Sequence, residues 1–337
     1  MLADDIQIYS CSMSLTKMLL LLNFIHVVAA FSAIASLLGF AGALWWRFEL
    51  LDHPRPQYCL ALIAALLVGL LLQQKWAIVW FIPLMLNLAL LAPLFFAPFK
   101  VDQNSQAPTI RLLHANLDRH NSQPEQAIRY LKQQSVDLML LQEITPAWLA
   151  RLQAELPEYQ ILKAEALDNT LGSAILVPQQ NQQIKVEQVQ VIHLPKDSDR
   201  PLLETTVTYA GRPLVILSYH VIRPRSPKTS AYQEIEFDSV STWSQAQLHQ
   251  QKRVVVIGDF NSTAWSVRLR RLEKDSQLLN SQRGFGFQPT WSAEFPPLMK
   301  IAIDHCFHDR SLVTVQRSIG SAIGSDHLPF LVELRNQ

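Results

Sequence analysis

Two textures divide the chain. From residue 18 to residue 46 there is no Asp, Glu, Lys or Arg, and an apolar run of that length is enough to cross a bilayer. A cleaved signal sequence would have a shorter apolar core, and this run ends on Trp45 and Trp46, aromatic residues of the kind that sit at a membrane interface. A polar loop over 47–57 carries Pro54 and Pro56. A second apolar run covers 58–72, Gln73, Gln74 and Lys75 make a polar turn, and a third run covers 76–99 with Pro83, Pro93 and Pro98. Lys75 is the one charge between 58 and 99. The second run is short for a span, so it is read with the third as a helical hairpin, for about three transmembrane spans in all. A hydrophobic bundle in a soluble protein is the competing reading. His26, inside the first run, suits a bond to a neighbouring helix as well as it suits a function.

Residues 101–108 (VDQNSQAP) read as a polar linker. Beyond them strands and helices alternate. The pattern predicts strands from residue 109 (TIRLLHANL) and over 137–141, and helices over 123–134 and from Pro146 to about 156, with Pro at a first helical turn. Closely spaced strands follow over 159–163, 173–177, 185–192, 202–209 and 214–219, which suggests antiparallel pairing. A helix is expected over 227–249, a strand over 254–257, a helix near 265–275, and strands over 301–305, 313–317 and 328–334. Many strands with interleaved helices predict two packed sheets flanked by helices. The loop Gly284-Phe285-Gly286-Phe287 and the PTW at Trp291 read as a mobile, aromatic surface segment.

Candidate chemistry collects at strand ends. The run Val254, Val255, Val256, Ile257 reads as a fully buried strand. Gly258 permits a sharp exit, and Asp259 and Asn261 follow at the carboxyl end, where open α/β sheets place ligands. A carboxylate and a carboxamide so spaced could hold and deprotonate a water, although an Asx turn uses the same residues. Asn116 and Asp118 end the first strand, Gln142 and Glu143 the second, and His220 ends LVILSY. Asp304 and His305 lie in IAIDH, and Ser325, Asp326 and His327 precede the last strand. Each taken singly is also an ordinary capping or hydrogen-bonding residue. Together they form an oxygen-rich set with three histidines and no cysteine, which suits Mg²⁺ or Mn²⁺ better than structural zinc.

Composition narrows this picture. Net charge is +1 over 337 residues, so no global field draws the chain to nucleic acid or acidic lipid. Charged residues make up 17%, below the usual quarter or so, and the deficit is concentrated in the first hundred residues. Cys11, Cys59 and Cys306 are too scattered for a disulfide framework or a zinc site.

The motifs NLD, QE, GDFN, IDH and SDH, in this order, resemble the endonuclease/exonuclease/phosphatase (DNase I-like) superfamily, over roughly 109–333. The N-terminal apolar runs and the PTW…IDH…GSDHLP ending are similar to its membrane-anchored bacterial members. The resemblance implies a four-layer α/β sandwich and a divalent-metal phosphoric ester hydrolase. It implies Glu143 as the principal metal ligand, with Asn116 and Asp118 beside it and Asp326 nearby. Asp259 would orient and deprotonate water, held by Asn261; His327 would donate to a phosphate oxygen, backed by Asp304; His220 would be a second donor. Arg223, Arg225 and Lys228 could grip a further phosphate or form a solvated loop. Arg268, Arg270 and Arg271 read as a solvated helix face, His305 and His308 as structural, and Trp265 and Trp291 either as core or as flanks of a substrate group.

The expected organisation is a tail over 1–17, transmembrane helices over 18–99, a linker over 100–108 and a catalytic domain over 109–337. The leading function is a phosphatase or phosphodiesterase tethered to the bacterial inner (cytoplasmic) membrane, with a small or lipid-linked phosphorylated substrate. A membrane-bound nuclease is second, because duplex binding wants a broader basic surface than this chain offers. An inactive membrane-anchored binding module is third; it would have lost a core residue, and all are present. Positive charges (Lys17 and Lys75 on one side; Arg47, Arg55 and Lys100 on the other) lean by one towards a cytoplasmic C-terminal part, whereas the resemblance implies a periplasmic one.

Overall fold

The computed structural model describes residues 15–97 and 105–337, so the expected tail lies largely, and the expected linker partly, outside the described residues. The first apolar run forms helix α1 (Leu15–Gly39) but does not continue to Trp46 as one helix. A Cβ at Gly39 would meet the Asp52 carboxylate, and one at Gly42 would meet Glu49 at 3.1 Å. The chain turns there, and the loop expected over 47–57 contains a short helix, α2 (Trp46–Leu50). Helix α3 (Arg55–Leu71) follows, then a 3₁₀ stretch Lys75–Trp80 leading into α4 (Phe81–Leu91). By length and composition, two helical segments could cross a membrane, Lys17–Gly39 and Lys75–Leu94; α3 has 17 residues. Their apolar side chains face outward to an unusual degree, Phe24 and Phe31 each at 63% exposure. The His26 ring accepts at Nδ1 from Trp80 Nε1 across the bundle at 3.2 Å.

The remainder is two six-stranded sheets. In chain order the elements are β1 (Thr109–Asn116), α5 (Pro124–Lys132), β2 (Leu138–Gln142), α6 (Pro146–Glu155), β3 (Tyr159–Glu165), β4 (Ser173–Pro178), β5 (Ile184–His193), β6 (Pro201–Tyr209), β7 (Arg212–His220), α7 (Pro227–His249), β8 (Arg253–Asp259), α8 (Val267–Ser276), β9 (Leu279–Asn280), β10 (Asp304–His308), β11 (Leu312–Ile319) and β12 (Phe330–Asn336). The first sheet runs β11-β12-β1-β2-β4-β3 and the second β5-β6-β7-β8-β10-β9. Their inner faces share one core that includes Leu112, Leu140, Ile216 and Ile257. Helices α5 and α6 cover the outer face of the first sheet, and α7 and α8 that of the second. The four-layer sandwich expected from the motifs is the architecture observed.

Each sheet is parallel only at its centre. There β1 and β2 are joined through α5, and β7 and β8 through α7; parallel neighbours need such a crossover. Three of the four covering helices, α6, α7 and α8, start on side-chain caps. Thr145 accepts from Trp148 N at 3.2 Å, Ser226 from Thr229 N at 3.2 Å and Ser266 from Leu269 N at 3.1 Å. The strand expected over 301–305 begins instead at Asp304. Ile301 gives its carbonyl to Thr290 N and Trp291 N, both at 2.9 Å, and so is spent outside the ladder. The segment expected to be mobile around Gly284 is docked: Gly286 N donates to Leu94 O at 2.7 Å, and Phe287 packs with the N-terminal helices.

Where β7 and β8 meet the opposite sheet the backbones approach closely. A Cβ at Gly258 (φ +154°) would collide with the Tyr219 carbonyl and lie 2.6 Å from Gln142 Nε2. Gly211, by contrast, has a positive φ of 71° but open space. Gly258→Ala should therefore lower unfolding free energy by roughly 3 kcal/mol, and Gly211→Ala by only about 1 kcal/mol, in matched denaturant titrations. Equal losses would show that the close approach at Gly258 does not constrain the fold.

Candidate active site

The parallel centres of the two sheets end side by side, and each of the four strands ends on a polar residue. Asn116 pairs in register with Gln142, and His220 with Asp259. Gln142 ties the two ends together: its Nε2 donates to Tyr219 O at 3.0 Å and its Oε1 accepts from Asp259 N at 3.3 Å, across the sandwich. The result is a cleft of about 380 Å³ lined by Asp118, Glu143, His220, Asp259, Asn261, Asp326 and His327, among others.

Three cleft residues leave their strands in the left-handed region: Asp118 (φ 55°), Glu143 (φ 59°) and Asn261 (φ 47°). Asp and Asn tolerate this conformation, whereas for Glu143 it is strain of on the order of 1 kcal/mol or more. The turn re-aims each side chain. Asn261 donates to Asp259 through N at 2.8 Å and Nδ2 at 3.2 Å, and its Nδ2 also reaches Val221 O at 3.0 Å. Glu143 accepts from Asn116 Nδ2 and from Arg119 N, each at 3.2 Å. Trp148, on α6, donates its indole N–H to Asp118 O at 3.1 Å and so supports the loop after β1.

Asp304 lies opposite Asp259 on the neighbouring strand and is fully buried. One of its oxygens takes His327 Nδ1 at 2.9 Å and the other takes His114 Nε2 at 3.1 Å. The far nitrogen of His327 faces Asp259 Oδ2 at 3.7 Å, the same distance as His220 Nε2 from that oxygen. Burial works against ionising Asp304, yet His327 and His114 outweigh it and hold its carboxyl well below the usual carboxylate range. Burial also opposes charge on His327, but Asp304 and Asp259 reverse the balance and lift it to about 10. Burial raises Asp259 to about 8 despite the pull of His327. His220 goes the other way, to about 3, through burial and then Arg200 and His327, and is a neutral imidazole at pH 7. The cleft thus contains a cationic donor, a neutral donor and a carboxyl group poised near neutrality.

For a divalent cation the donors differ in kind. Among the described residues, Asp259, Asp304 and His327 offer ligand atoms within 4.8 Å of one another. Both Asp304 oxygens are already committed to imidazoles, so this trio reads as a proton-holding network rather than a cage. Glu143, Asn116 and Asp118 present carboxylate and carboxamide oxygens, which suit a hard cation. Burial raises Glu143 against its bonds from Asn116 and Arg119, a penalty that a nearby positive charge would relieve. Asp326 faces the other wall, accepting from Trp291 Nε1 at 2.9 Å, with its other oxygen 4.0 Å from His327 Nε2.

The structure revises the reading of Arg268 and decides those of Trp265, Trp291 and His305. Arg268 is not on a solvated face: its Nε meets Glu49 Oε2 at 2.7 Å in a largely buried pair. Trp265 is buried and donates to Asp52 O, so it cannot flank a substrate in the cleft, whereas Trp291 lines it. His305 is buried against Ser262 O (2.9 Å) and Asn280. Two contributors were not singled out, His114 and Arg200. His114 shares a strand face with Asn116, two residues on, which is the signal that could have found it. Arg200 lines the cleft and donates to His220 O at 3.0 Å from a strand edge, with no local sequence mark.

The sequence profile of the Endonuclease/Exonuclease/phosphatase family matches residues 113–327. No curated protein sequence gives a significant match. Among solved structures, TDP2 from D. rerio complexed with a single-strand DNA product is similar at 16% identity and a TM-score of 0.55, covering 68% of this chain and 99% of that one. A humanized D. rerio TDP2 gives 17% and 0.54 over 68% and 99%. An endonuclease/exonuclease/phosphatase from Bacteroides vulgatus gives 16% and 0.55, also over 68% and 99%. At such identities these structures establish the shared fold.

The position of Asp259 has a measurable consequence. Its folded value of about 8 stands above the ordinary 3.8, so the unfolded chain gives up this proton first and stability falls as pH rises between the two. Asp259→Asn removes that loss. Its unfolding free energy relative to wild type should improve steadily between pH 4 and pH 8 in urea titrations across the range. A difference independent of pH would mean that Asp259 stays ionised throughout.

Proposed function

The chain belongs to the endonuclease/exonuclease/phosphatase family, and on that premise we propose that it is a membrane-tethered, divalent-metal-dependent phosphatase or phosphodiesterase acting on small or lipid-linked phosphorylated substrates. Family members are generally hydrolases such as nucleases and phosphatases, and they usually use divalent metals. The observation that carries the reading is the convergence of Glu143, Asp259, His220 and His327, from four separate parts of the chain, on one cleft.

In this reading Glu143, with Asn116 and Asp118 beside it and Asp326 nearby, holds Mg²⁺ or Mn²⁺, which when bound neutralises charge on the phosphate oxygens. Asp259 accepts the proton of the attacking water; a value near 8 matches that task at neutral pH. Asn261 fixes the Asp259 carboxylate through two N–H groups and leaves it one productive orientation. His327 is charged at pH 7 and donates from Nε2 to a non-bridging oxygen. Asp304 holds Nδ1, which sets the ring's orientation. His220, neutral, contributes a second donor. Water attacks phosphorus and gives its proton to Asp259, the ester P–O bond breaks, and the alkoxide takes a proton from solvent as it leaves.

The exposed apolar helices support an anchor over 18–99, a linker over 100–108 and a catalytic domain over 109–337. Tethering raises the effective concentration of any substrate confined to the same bilayer. We place the anchor in the bacterial cytoplasmic membrane with the catalytic domain in the periplasm; a C-terminal reporter active only in the cytoplasm would reverse this.

A nuclease is the second reading. It is favoured by the D. rerio TDP2 structure with its single-strand DNA product, and by Arg223 and Arg225 in the cleft wall. A net charge of +1 counts against extended duplex binding.

Asp259→Asn and His327→Ala should each lower hydrolysis of a generic phosphodiester by about 10²–10⁴-fold without loss of fold, and chelation should abolish it until Mg²⁺ is restored. The readout is a turnover panel of a polyprenyl pyrophosphate, phospholipids and single- and double-stranded DNA. Unchanged turnover in either variant removes the mechanism, and efficient DNA cleavage without lipid turnover puts the nuclease first.

A further inference from the structure

A second concavity, of about 470 Å³, opens directly off the catalytic cleft. Arg223, Arg225, Asn261 and Trp291 line both. Its size lies within the range of small-molecule sites, about 300–1,000 Å³. One wall is formed by Ile301, Ile303 and Pro224; the other by Trp46, Leu50 and His53, from the segment joining the first two long apolar helices. The catalytic cleft therefore continues into a mainly apolar groove, one wall of which belongs to the N-terminal helical region.

That wall is held firmly. Glu49, between Trp46 and Leu50, pairs with Arg268 of α8 at 2.7 Å, with both side chains largely buried. Trp265 Nε1 donates to Asp52 O, and His53 Nδ1 lies 3.4 Å from Thr263 Oγ1. Gln57 Nε2 donates to Leu298 O at 2.8 Å and to Lys300 O at 3.1 Å. The bonds reach the start of α8, the loop before it and the segment before Ile301, so α2 and the loop after it are a built part of the site's surroundings.

The groove's chemistry is graded. At the mouth it shares with the cleft, the Arg223 guanidinium stacks 4.7 Å over the Trp291 ring, with Arg225 beside it. Further on, Trp46, Leu50, Ile301 and Ile303 offer hydrocarbon. His53 adds no charge, since burial and then Arg223 lower it to about 4. Leu44 and Trp45, immediately before α2, are exposed, and α1 beyond them presents an apolar surface. A cationic mouth at the catalytic centre, followed by hydrocarbon that leads towards apolar helices, matches an amphiphile with its phosphate at the head.

We propose that α2 and His53 form one wall of the substrate site, and that the groove receives the first carbons of an apolar chain esterified to the phosphate held in the catalytic cleft. The inference rests on the phosphoester-hydrolase reading above and adds to it that the helical region selects the substrate as well as anchoring the enzyme. Bilayer proximity by itself would favour every lipid phosphate equally; the groove favours those whose chain begins close to phosphorus.

The test measures binding by the full-length chain in lipid nanodiscs with Mg²⁺, using methylphosphonate and octylphosphonate as non-hydrolysable probes. Partition of the octyl chain into the disc is common to all variants and cancels between them. Wild type should bind octylphosphonate at least tenfold more tightly than methylphosphonate, which needs burial of only about two methylene groups. Leu50→Trp, which fills the groove, should reduce that preference to within twofold, and Trp46→Ala, which removes a wall, by about threefold. A preference unaltered in both variants overturns the proposal. Equal binding of both probes by wild type overturns it while leaving the phosphoester reading intact, and binding of neither overturns both. Adenosine 5′-thiomonophosphate is the third probe; an advantage larger than that of octylphosphonate, lost in the same variants, assigns the groove to a nucleobase and also overturns the proposal.

Discussion

A single buried carboxylate organises the end of the sandwich where the cleft lies. Asp304 has no exposed surface, and leaving it charged there would cost several kcal/mol without partners. Both its oxygens are satisfied by imidazoles from the opposite sheet, His114 from β1 and His327 from the turn before β12. The bond network therefore runs between sheets as well as within them. It makes the charge tolerable and fixes the rotation of His327, the ring that faces the cleft. Removing either imidazole would leave half of that carboxylate unpaired in a dry interior, so the geometry of the site and the packing of the two sheets are not separable.

Next to it, Gln142 and Gly258 set how close the sheets can come. The Gln142 side chain spends its donor on Tyr219 O and its acceptor on Asp259 N, which leaves no buried polar atom of that amide unpaired. The space it occupies exists because residue 258 has no Cβ. A parallel pair at the heart of each sheet then delivers four carboxyl-terminal strand ends to one place. Antiparallel neighbours would have sent alternate ends to opposite edges.

The N-terminal helices are more than an appendage in this structure. Through Glu49 and Arg268, Asp52 and Trp265, and Leu94 and Gly286, they meet the sandwich on the side where the cleft opens. Burial raises Glu49 to about 7, with Arg268 opposing, so the pair is a costly one to bury and contributes orientation more than raw stability. Fixed in this way, the segment between α1 and α3 frames one approach to the cleft.

Much of this was legible in the chain. Apolar periodicity marked the strands and helices because a sandwich buries one face of each, and the polar residues that end β1, β2, β7 and β8 stood out against apolar runs. Their order carried the family resemblance. What local pattern could not decide was anything that depended on distant partners. Arg268 looked like a solvated charge until Glu49, more than two hundred residues earlier, came to lie against it. The GFGF loop looked mobile until Leu94 supplied its hydrogen bond, and β10 began three residues late because Ile301 was drawn to Thr290 and Trp291. Sequence alone determined the element types, the sandwich class and the set of polar strand ends, since these follow from short-range periodicity and residue chemistry. Which imidazoles share Asp304, which arginine is buried, and that the loop after α1 walls a groove beside the cleft were settled only by tertiary packing, because burial and pairing are properties of the space between elements.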